Sequence, residues 1–354
     1  MGAMIKDSKK QNIILTLIIW SVLCVGSMAA MLVVASDKTI VIEAAAQDQS
    51  ELSADSIQNA SGELLLLTSK DALENCVCIP LEEGTKAEQV TVENRYMEQE
   101  LWIYIKNANE DFYGQNRITG DMSEIQKGWY EVQEDGILLK FGMDTVWEYH
   151  STMESGTLKV VFSNPRDSYQ QIVVLDPMGG GSESGAVAAR FTEKELTLQV
   201  AKLVQKNMVQ PDIKIYITRS EDIQVTDEQK LELVEAVEPD LFLQIGVSEA
   251  QEDAAQYGIQ TYYNNEYYIP EFGNVEWADM VTKEVTVAVS NRALGLLPVE
   301  EESILKQLDM PAARLHLGYF TNAQEAALLK QEGYQDKLAV GIAEAILEVY
   351  ANTY

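Results

Sequence analysis

The hydrophobic and polar positions of the chain change texture three times. Residues 13–35, IILTLIIWSVLCVGSMAAMLVVA, contain no charged side chain, and about 20 apolar residues suffice to cross a bilayer as a helix. Lys6, Lys9 and Lys10 precede the run. Positive charge stays on the cytoplasmic side, which predicts a single-pass cell-membrane anchor with an extracytoplasmic body. The alternative is a cleaved signal peptide, with Val33-Val34-Ala35 as its small-residue cleavage site. Residues 44–62 are small and polar and lack aromatics, which is linker composition. The reading is a tail at 1–12, an anchor at 13–35 and a linker at 36–62.

From residue 63 to residue 166 the pattern is one of short strands. Leu101, Ile103 and Ile105 alternate with polar or aromatic neighbours, and Leu158, Val160 and Phe162 recur at the same spacing; a period of two marks half-buried strands. Gly84, Gly114, Gly128, Gly136 and Gly156 punctuate the runs, as turns require. A small all-β sandwich or barrel is expected.

Beyond residue 167 strands and helices alternate. QIVVLD is followed by EKELTLQVAKLVQKNM, where Leu196, Val200, Leu203 and Val204 share one helical face. The strands KIYITR, DLFLQIG, GIQTYY and ARLHLGYF follow, with a long helix through WADMVTKEVTVAVSNRALG and a closing helix from Leu338. This predicts an α/β domain at 167–354, a mostly parallel sheet with helices on both faces. Sites in such sheets gather at the carboxyl ends of the strands.

Composition narrows the chemistry. The formal net charge of -30 repels phosphate backbones and excludes nucleic acid as a partner. Of the cysteines, only Cys76 and Cys78 lie outside the apolar run, so no disulfide framework exists and both read as ordinary strand residues. Two histidines, His150 and His316, are present. The glycine-rich stretch Asp176-Pro177-Met178-Gly179-Gly180-Gly181 lacks the Gly-Lys-Ser/Thr ending of a phosphate loop and opens no helix as a dinucleotide loop would.

These stretches together resemble the zinc-dependent N-acetylmuramoyl-L-alanine amidases. That family opens with D-P-G-H-G-G-x-D-x-G-A, against Asp176 to Ala186 here, and continues with E-K, matched by Glu193-Lys194. Its T-R-x-x-D element matches Thr218, Arg219 and Asp222, and its A-D-L-F-I-S-I-H-A-N run corresponds to Pro239 through Ser248. The G-x-x-T-Y-Y strand corresponds to Gly258 through Tyr263, and P-A-V-L-V-E-L-G-F-x-x-N to Pro311 through Asn322. The preceding segment, through LWIYIKN, GILLKFG and TLKVVFSNP, resembles in pattern the AMIN β-domains found upstream of such enzymes. A generic β-module that spaces or orients the next domain fits the same pattern.

The resemblance implies a zinc held by two histidines and a glutamate, with a second glutamate as general base. Three protein ligands leave an open position where zinc lowers the pKa of water to about 7. At those positions this chain has Gly179, Glu193, Gly246 and His316, so only one ligand side chain is retained. No zinc or other cofactor is expected, and Glu193 and His316 are expected to pair across an emptied pocket. A weak oxygen-rich cation site using Asp176 and Glu183 is the alternative. Tyr262, Tyr263, Asn264 and Asn265 are candidates for stacking on and hydrogen-bonding a sugar beside the cleft, against the reading that they pack a strand and a loop.

The expectation is thus a membrane-anchored pseudo-amidase of a bacterial envelope that binds peptidoglycan or a cell-wall, division or sporulation protein without hydrolysis. Two alternatives stay open: an active amidase with a changed site around Glu193, Glu183 and His316, and a scaffold or regulator for which the cleft is irrelevant.

Overall fold

The computed structural model describes residues 61–64, 66–68, 75–109, 111–121, 123–249 and 255–353. The tail at 1–12, the apolar run at 13–35 and nearly all of the linker lie outside the described residues. Among the described residues no helix is long and apolar enough to cross a membrane.

Ten strands build the first unit: β1 (Ser61–Glu63), β2 (Leu66–Thr68), β3 (Cys76–Pro80), β4 (Val90–Arg95), β5 (Glu100–Lys106), β6 (Ile118–Gly120), β7 (Ile125–Gln133), β8 (Gly136–Met143), β9 (Glu148–Glu154) and β10 (Thr157–Ser163). They form two five-stranded sheets, ordered β1-β7-β8-β5-β4 and β2-β6-β3-β10-β9. The alternation seen in the sequence sets the packing. Leu101, Ile103 and Ile105 from one sheet and Leu158, Val160 and Phe162 from the other are buried in one core, as the inner faces of a sandwich must be. β1 begins at Ser61, inside the stretch read as linker. β4, β6 and β9 carry too little apolar alternation to stand out in the sequence.

The second unit is an α/β sheet. Its strands are β11 (Gln171–Pro177), a small hairpin of β12 (Val187–Ala188) and β13 (Phe191–Thr192), β14 (Ile213–Ile217), β15 (Leu241–Ser248), β16 (Ile259–Tyr263), β17 (Ala293–Pro298) and β18 (Ala312–Tyr319). The longer helices are α1 (Glu193–Asn207), α2 (Asp227–Val237), α3 (Asn274–Val289), α4 (Ala323–Leu329) and α5 (Glu332–Thr353). The main sheet runs β14-β11-β15-β18-β16-β17. Its pairings are parallel except β16 with β18, which is antiparallel. The long helix predicted through residue 295 ends at Val289, where Ser290 takes a left-handed conformation. Ala293–Pro298 is an edge strand instead, because a six-residue apolar run fits either type and the fold decides.

Both faces of the sheet are covered. Leu196, Val200 and Val204 of α1, Trp277, Val281 and Val285 of α3, and Leu338, Ile342 and Ile346 of α5 pack on Val173, Leu175, Leu243, Ile245 and Leu315. On the other face Leu233, Val234 and Val237 of α2 meet Ile172, Val174, Phe242 and Ala312. Such two-sided burial is why β11 and β15 read as continuous apolar runs rather than alternating ones.

The sandwich docks against the edge strand β14. Tyr96 places its hydroxyl between both backbone groups of Ile217, donating to the carbonyl at 2.8 Å and accepting from the amide at 3.1 Å. Glu148 of β9 is buried and accepts from Tyr216, from Lys214 at 2.8 Å and from Tyr169 at 3.2 Å. Arg95 pairs with Glu221 at 3.3 Å. An edge strand otherwise offers unpaired backbone groups, and here a side chain from the neighbouring unit engages them.

Candidate functional site

The carboxyl ends of β11, β15 and β18 converge, and the glycine-rich loop leaves β11 there. Gly180 and Glu183 exchange two backbone hydrogen bonds at 2.8 and 2.9 Å, closing a tight turn. Gly180 has φ +135°, and a Cβ there would lie 2.0 Å from the Ile223 carbonyl, so only glycine fits. Three side chains pin the turn. Arg219 donates to the carbonyls of Pro177 at 2.9 Å and Lys194 at 2.8 Å. Lys194 bridges the Gly181 carbonyl and Asp222, both at 2.7 Å. Asp222 accepts from the Gly181 amide at 2.8 Å, and its hydrogen bond from Lys194 holds its carboxyl below the usual range. Arg219 and Asp222 therefore shape this loop from the end of β14, with Lys194 of α1.

Beneath the loop, Asp176 is 1% exposed. It accepts from Thr218 at 2.6 Å and Gln244 at 2.7 Å and pairs with Lys230 at 3.1 Å. Its acceptor sites are occupied, and Glu183 is exposed on the turn, so the two do not form a cation site.

Glu193 is the first residue of α1, after an N-cap at Thr192 that accepts from the Glu195 amide in a capping box. Its buried carboxylate accepts from the amides of Ala186 at 2.9 Å and Val247 at 2.8 Å. Burial raises its pKa against those two bonds. His316, on β18, makes its hydrogen bond elsewhere: Nδ1 lies 2.6 Å from the Ser248 hydroxyl, and the ring packs on Tyr262 at 4.9 Å between centroids. Burial, reinforced by the Arg314 guanidinium, pushes the imidazole down to about 3, so it is neutral at pH 7. Its Nε2 is buried and unpartnered. The expected pairing of Glu193 with His316 is not formed: a neutral ring gives no ion pair, and the carboxylate already has two amide donors.

The pocket is also filled. A Cβ on Gly246 would lie 2.8 Å from the Met178 Sδ, 3.0 Å from the His316 Cδ2 and 3.1 Å from the Glu193 Oε1. The structure thus brings Met178, Glu193, Gly246 and His316 together. Gly179 stands apart, its absent Cβ directed at the Glu183 carbonyl and Lys194. Met178 is the residue that sequence reasoning missed. The signal available was its position, as the one bulky side chain in a run of glycines.

The zinc that the family pattern implies does not fit these residues. Among the described residues no three His, Cys, Asp or Glu side chains are grouped to hold a metal ion. A thioether packs beside Gly246, and the one carboxylate is engaged by backbone amides. Structural and catalytic zinc sites alike use at least three protein ligands.

The candidate sugar-binding residues are dispersed. Because β16 runs antiparallel to β18, with Gln260 opposite His316 and Tyr263 opposite Ala313, its carboxyl end points away from the pocket. Tyr262 is half-buried against His316, while Tyr263, Asn264 and Asn265 lie at the far end of the sheet. Asn264 is buried and accepts from the Glu266 amide at 3.0 Å, a loop-packing role. The expectation of a loop beside the cleft failed on strand direction, which periodicity does not report.

A mostly parallel sheet covered by helices, a glycine-rich loop after its first strand and a glutamate opening the next helix are the arrangement of an amidase-like α/β fold. Residues 173–348 match the family model described as N-acetylmuramoyl-L-alanine amidase, and this domain belongs to that zinc-dependent family. The chain is 26% identical over 194 residues to the germination-specific N-acetylmuramoyl-L-alanine amidase of Bacillus subtilis, covering 51% of this chain and 80% of the relative. It is 25% identical over 267 residues to the probable cell wall amidase LytH of Staphylococcus aureus, covering 69% and 87%. With LytC of Bacillus subtilis the identity is 26% over 180 residues, 51% of this chain but only 36% of the relative; the match spans about a third of that protein. A solved N-acetylmuramoyl-L-alanine amidase from Clostridium difficile 630 is 27% identical, covers 54% of this chain and 100% of its own, and superposes with a TM-score of 0.49.

Proposed function

We propose that this protein is an envelope-associated amidase-fold protein that binds in the cell wall without cleaving the family's bond. The observation that carries the reading is the filled pocket: Met178 lies beside Gly246, and Gly179 and Gly246 supply no ligands. A hydrolytic water at neutral pH needs a metal or a base near pH 7, and an imidazole pushed down to about 3 is a poor proton acceptor. The names of its relatives, cell-wall and germination amidases, support peptidoglycan, or a protein working on it, as the binding partner. The charge-free run at 13–35 would hold the body at the outer face of the membrane. The β-sandwich, with its AMIN-like pattern, would orient the amidase-fold unit through Tyr96 and Glu148.

The test is a pair of measurements on the full chain. Metal content after purification with excess zinc is expected to stay well below one ion per chain, and dye-labelled cell walls are expected to release no dye. Stoichiometric zinc with chelator-sensitive release would refute the reading. Retention on purified sacculi is expected; a protein left wholly in the supernatant would direct the search to a protein partner.

A further inference from the structure

In the connection between β6 and β7 of the sandwich, Asp121, Ser123 and Glu124 bring their side-chain oxygens into contact. The Ser123 Oγ lies 2.8 Å from the Asp121 Oδ1 and 2.7 Å from the Glu124 Oε1. We propose that these three side chains form a calcium site. The proposal does not depend on whether the amidase-fold unit cleaves anything.

Glu124 carries the argument. It is 8% exposed, and its Oε2 is buried with no hydrogen-bond partner. Its Oε1 meets the Ser123 hydroxyl, which has one hydrogen to share between two carboxylates. Asp121 has the stronger hold on that hydrogen. The same Oδ1 also accepts from the Ser123 amide at 3.1 Å, and the two Ser123 bonds hold the Asp121 carboxyl below the usual range. With the hydrogen on that side, Oγ turns a lone pair toward Glu124, and neither oxygen of the buried carboxylate has a donor. Buried charge is paired or coordinates a metal. The ion pairs Arg95 with Glu93, Lys106 with Asp135 and Lys140 with Glu131 lie elsewhere on the sandwich, and among the described residues no lysine or arginine pairs with this connection.

Every donor atom is an oxygen, which selects a hard cation. Both oxygens of one carboxylate on a single ion make a narrow bite. Calcium accepts this, taking about six to eight oxygens at about 2.3–2.6 Å, whereas magnesium demands a near-ideal octahedron. Ser123 is exposed, so water completes the shell. The connection is anchored on both sides: the Asp121 amide donates to the Cys76 carbonyl at 2.9 Å, and the Asp144 amide donates to the Glu124 carbonyl at 3.1 Å. Two carboxylates and a hydroxyl fall short of a full protein cage, so the expected Kd is that of extracellular modules, about 0.1–1 mM. A site this weak empties during purification without calcium, and chelation of such a preparation removes nothing from it.

The test uses the full chain in detergent, purified without calcium and titrated with calcium chloride, read by thermal unfolding and by calorimetric binding. At about 10 mM calcium the unfolded-to-folded ratio of the sandwich should fall about 10- to 100-fold, with a rise in Tm. Glu124→Gln should abolish the response, and Ser123→Ala, at an exposed position, should weaken it. Glu83→Gln removes an exposed charge elsewhere on the sandwich and should leave the response intact. Without calcium Glu124→Gln should be at least as stable as wild type, because it removes a buried charge that lacks a partner; calcium should then carry wild type past it. Four outcomes would each overturn the proposal. Equal stabilisation of wild type and Glu124→Gln would mean that calcium only screens the acidic surface. An equal response to magnesium would remove the assignment to calcium. Loss of stability in Glu124→Gln to the same extent with and without calcium would make Glu124 a packing residue. The last is the absence of saturable binding up to about 10 mM, far above the expected Kd.

Discussion

Nδ1 of His316 sits 2.6 Å from the hydroxyl of Ser248, so the only histidine of the amidase-fold unit is engaged along its own sheet rather than toward Glu193. The contact fixes the ring with Nε2 buried and unpartnered. The imidazole is thereby kept neutral, a packing element stacked on Tyr262.

A pH dependence follows. The folded imidazole titrates near 3 against about 6.5 unfolded. Above 6.5 both states are neutral and the contribution is complete. As pH falls from 6.5 toward 3 the unfolded chain takes up a proton that the folded one does not, and stability is lost, on the order of 4 kcal/mol over the window. Substituting His316→Phe removes this component. The variant should gain on wild type steadily between pH 6.5 and pH 4 in urea unfolding, and parallel pH profiles would contradict the assignment.

Gly246 and Met178 should be energetically coupled. Gly246→Ala puts a methyl 2.8 Å from the Met178 sulfur, and overpacking of this kind costs about 1–3 kcal/mol. Met178→Ala opens the space. The double variant should therefore be less destabilised than the sum of the single ones, in a double-mutant cycle read by denaturant midpoints. Strict additivity would show that the sulfur does not crowd this position.

Asp176 and Lys230 form a pair whose halves cannot be removed separately without cost. Asp176→Asn leaves the mostly buried Lys230 ammonium with only the half-exposed Asp227 carboxylate at 3.2 Å, and breaking a buried pair costs up to about 3–5 kcal/mol. Adding Lys230→Met should restore a substantial part of that loss. A wild-type-like midpoint for Asp176→Asn would mean the pair is solvated rather than buried.

Tyr96 links the two units. Tyr96→Phe keeps the ring but deprives the amide and carbonyl of Ile217 of their hydroxyl partner, a loss of about 1–3 kcal/mol. Because the bond crosses between units, the expected calorimetric signature is a broadened or split transition. A single transition with an unchanged midpoint would show that Glu148 and the apolar contacts suffice alone.

Removing metal should do nothing. A ligand that binds only the folded state raises the midpoint, so chelator treatment of the purified chain is expected to leave its Tm unchanged. A fall on chelation, reversed by zinc, would reveal a metal these residues do not account for.

The longer strands and helices, the inward faces of the alternating strands and the glycine-rich turn were legible in the sequence because each is local, whereas the edge strand Ala293–Pro298 was read as helix and β4, β6 and β9 did not stand out. Periods of two and 3.6 set which side chains face inward, and the positive φ of Gly180 needs only a missing Cβ. The sequence by itself also determined that Gly179 and Gly246 bring no ligands, since a missing side chain is missing in any fold. Tertiary structure decided the rest. It placed Met178 beside Gly246, turned His316 to Ser248 and gave Glu193 two amide donors. Through the single antiparallel strand β16 it carried the tyrosine loop to the far end of the sheet. Strand direction and pairing join residues distant in the chain, and the burial energy that selects them belongs to the assembled core, not to any one segment.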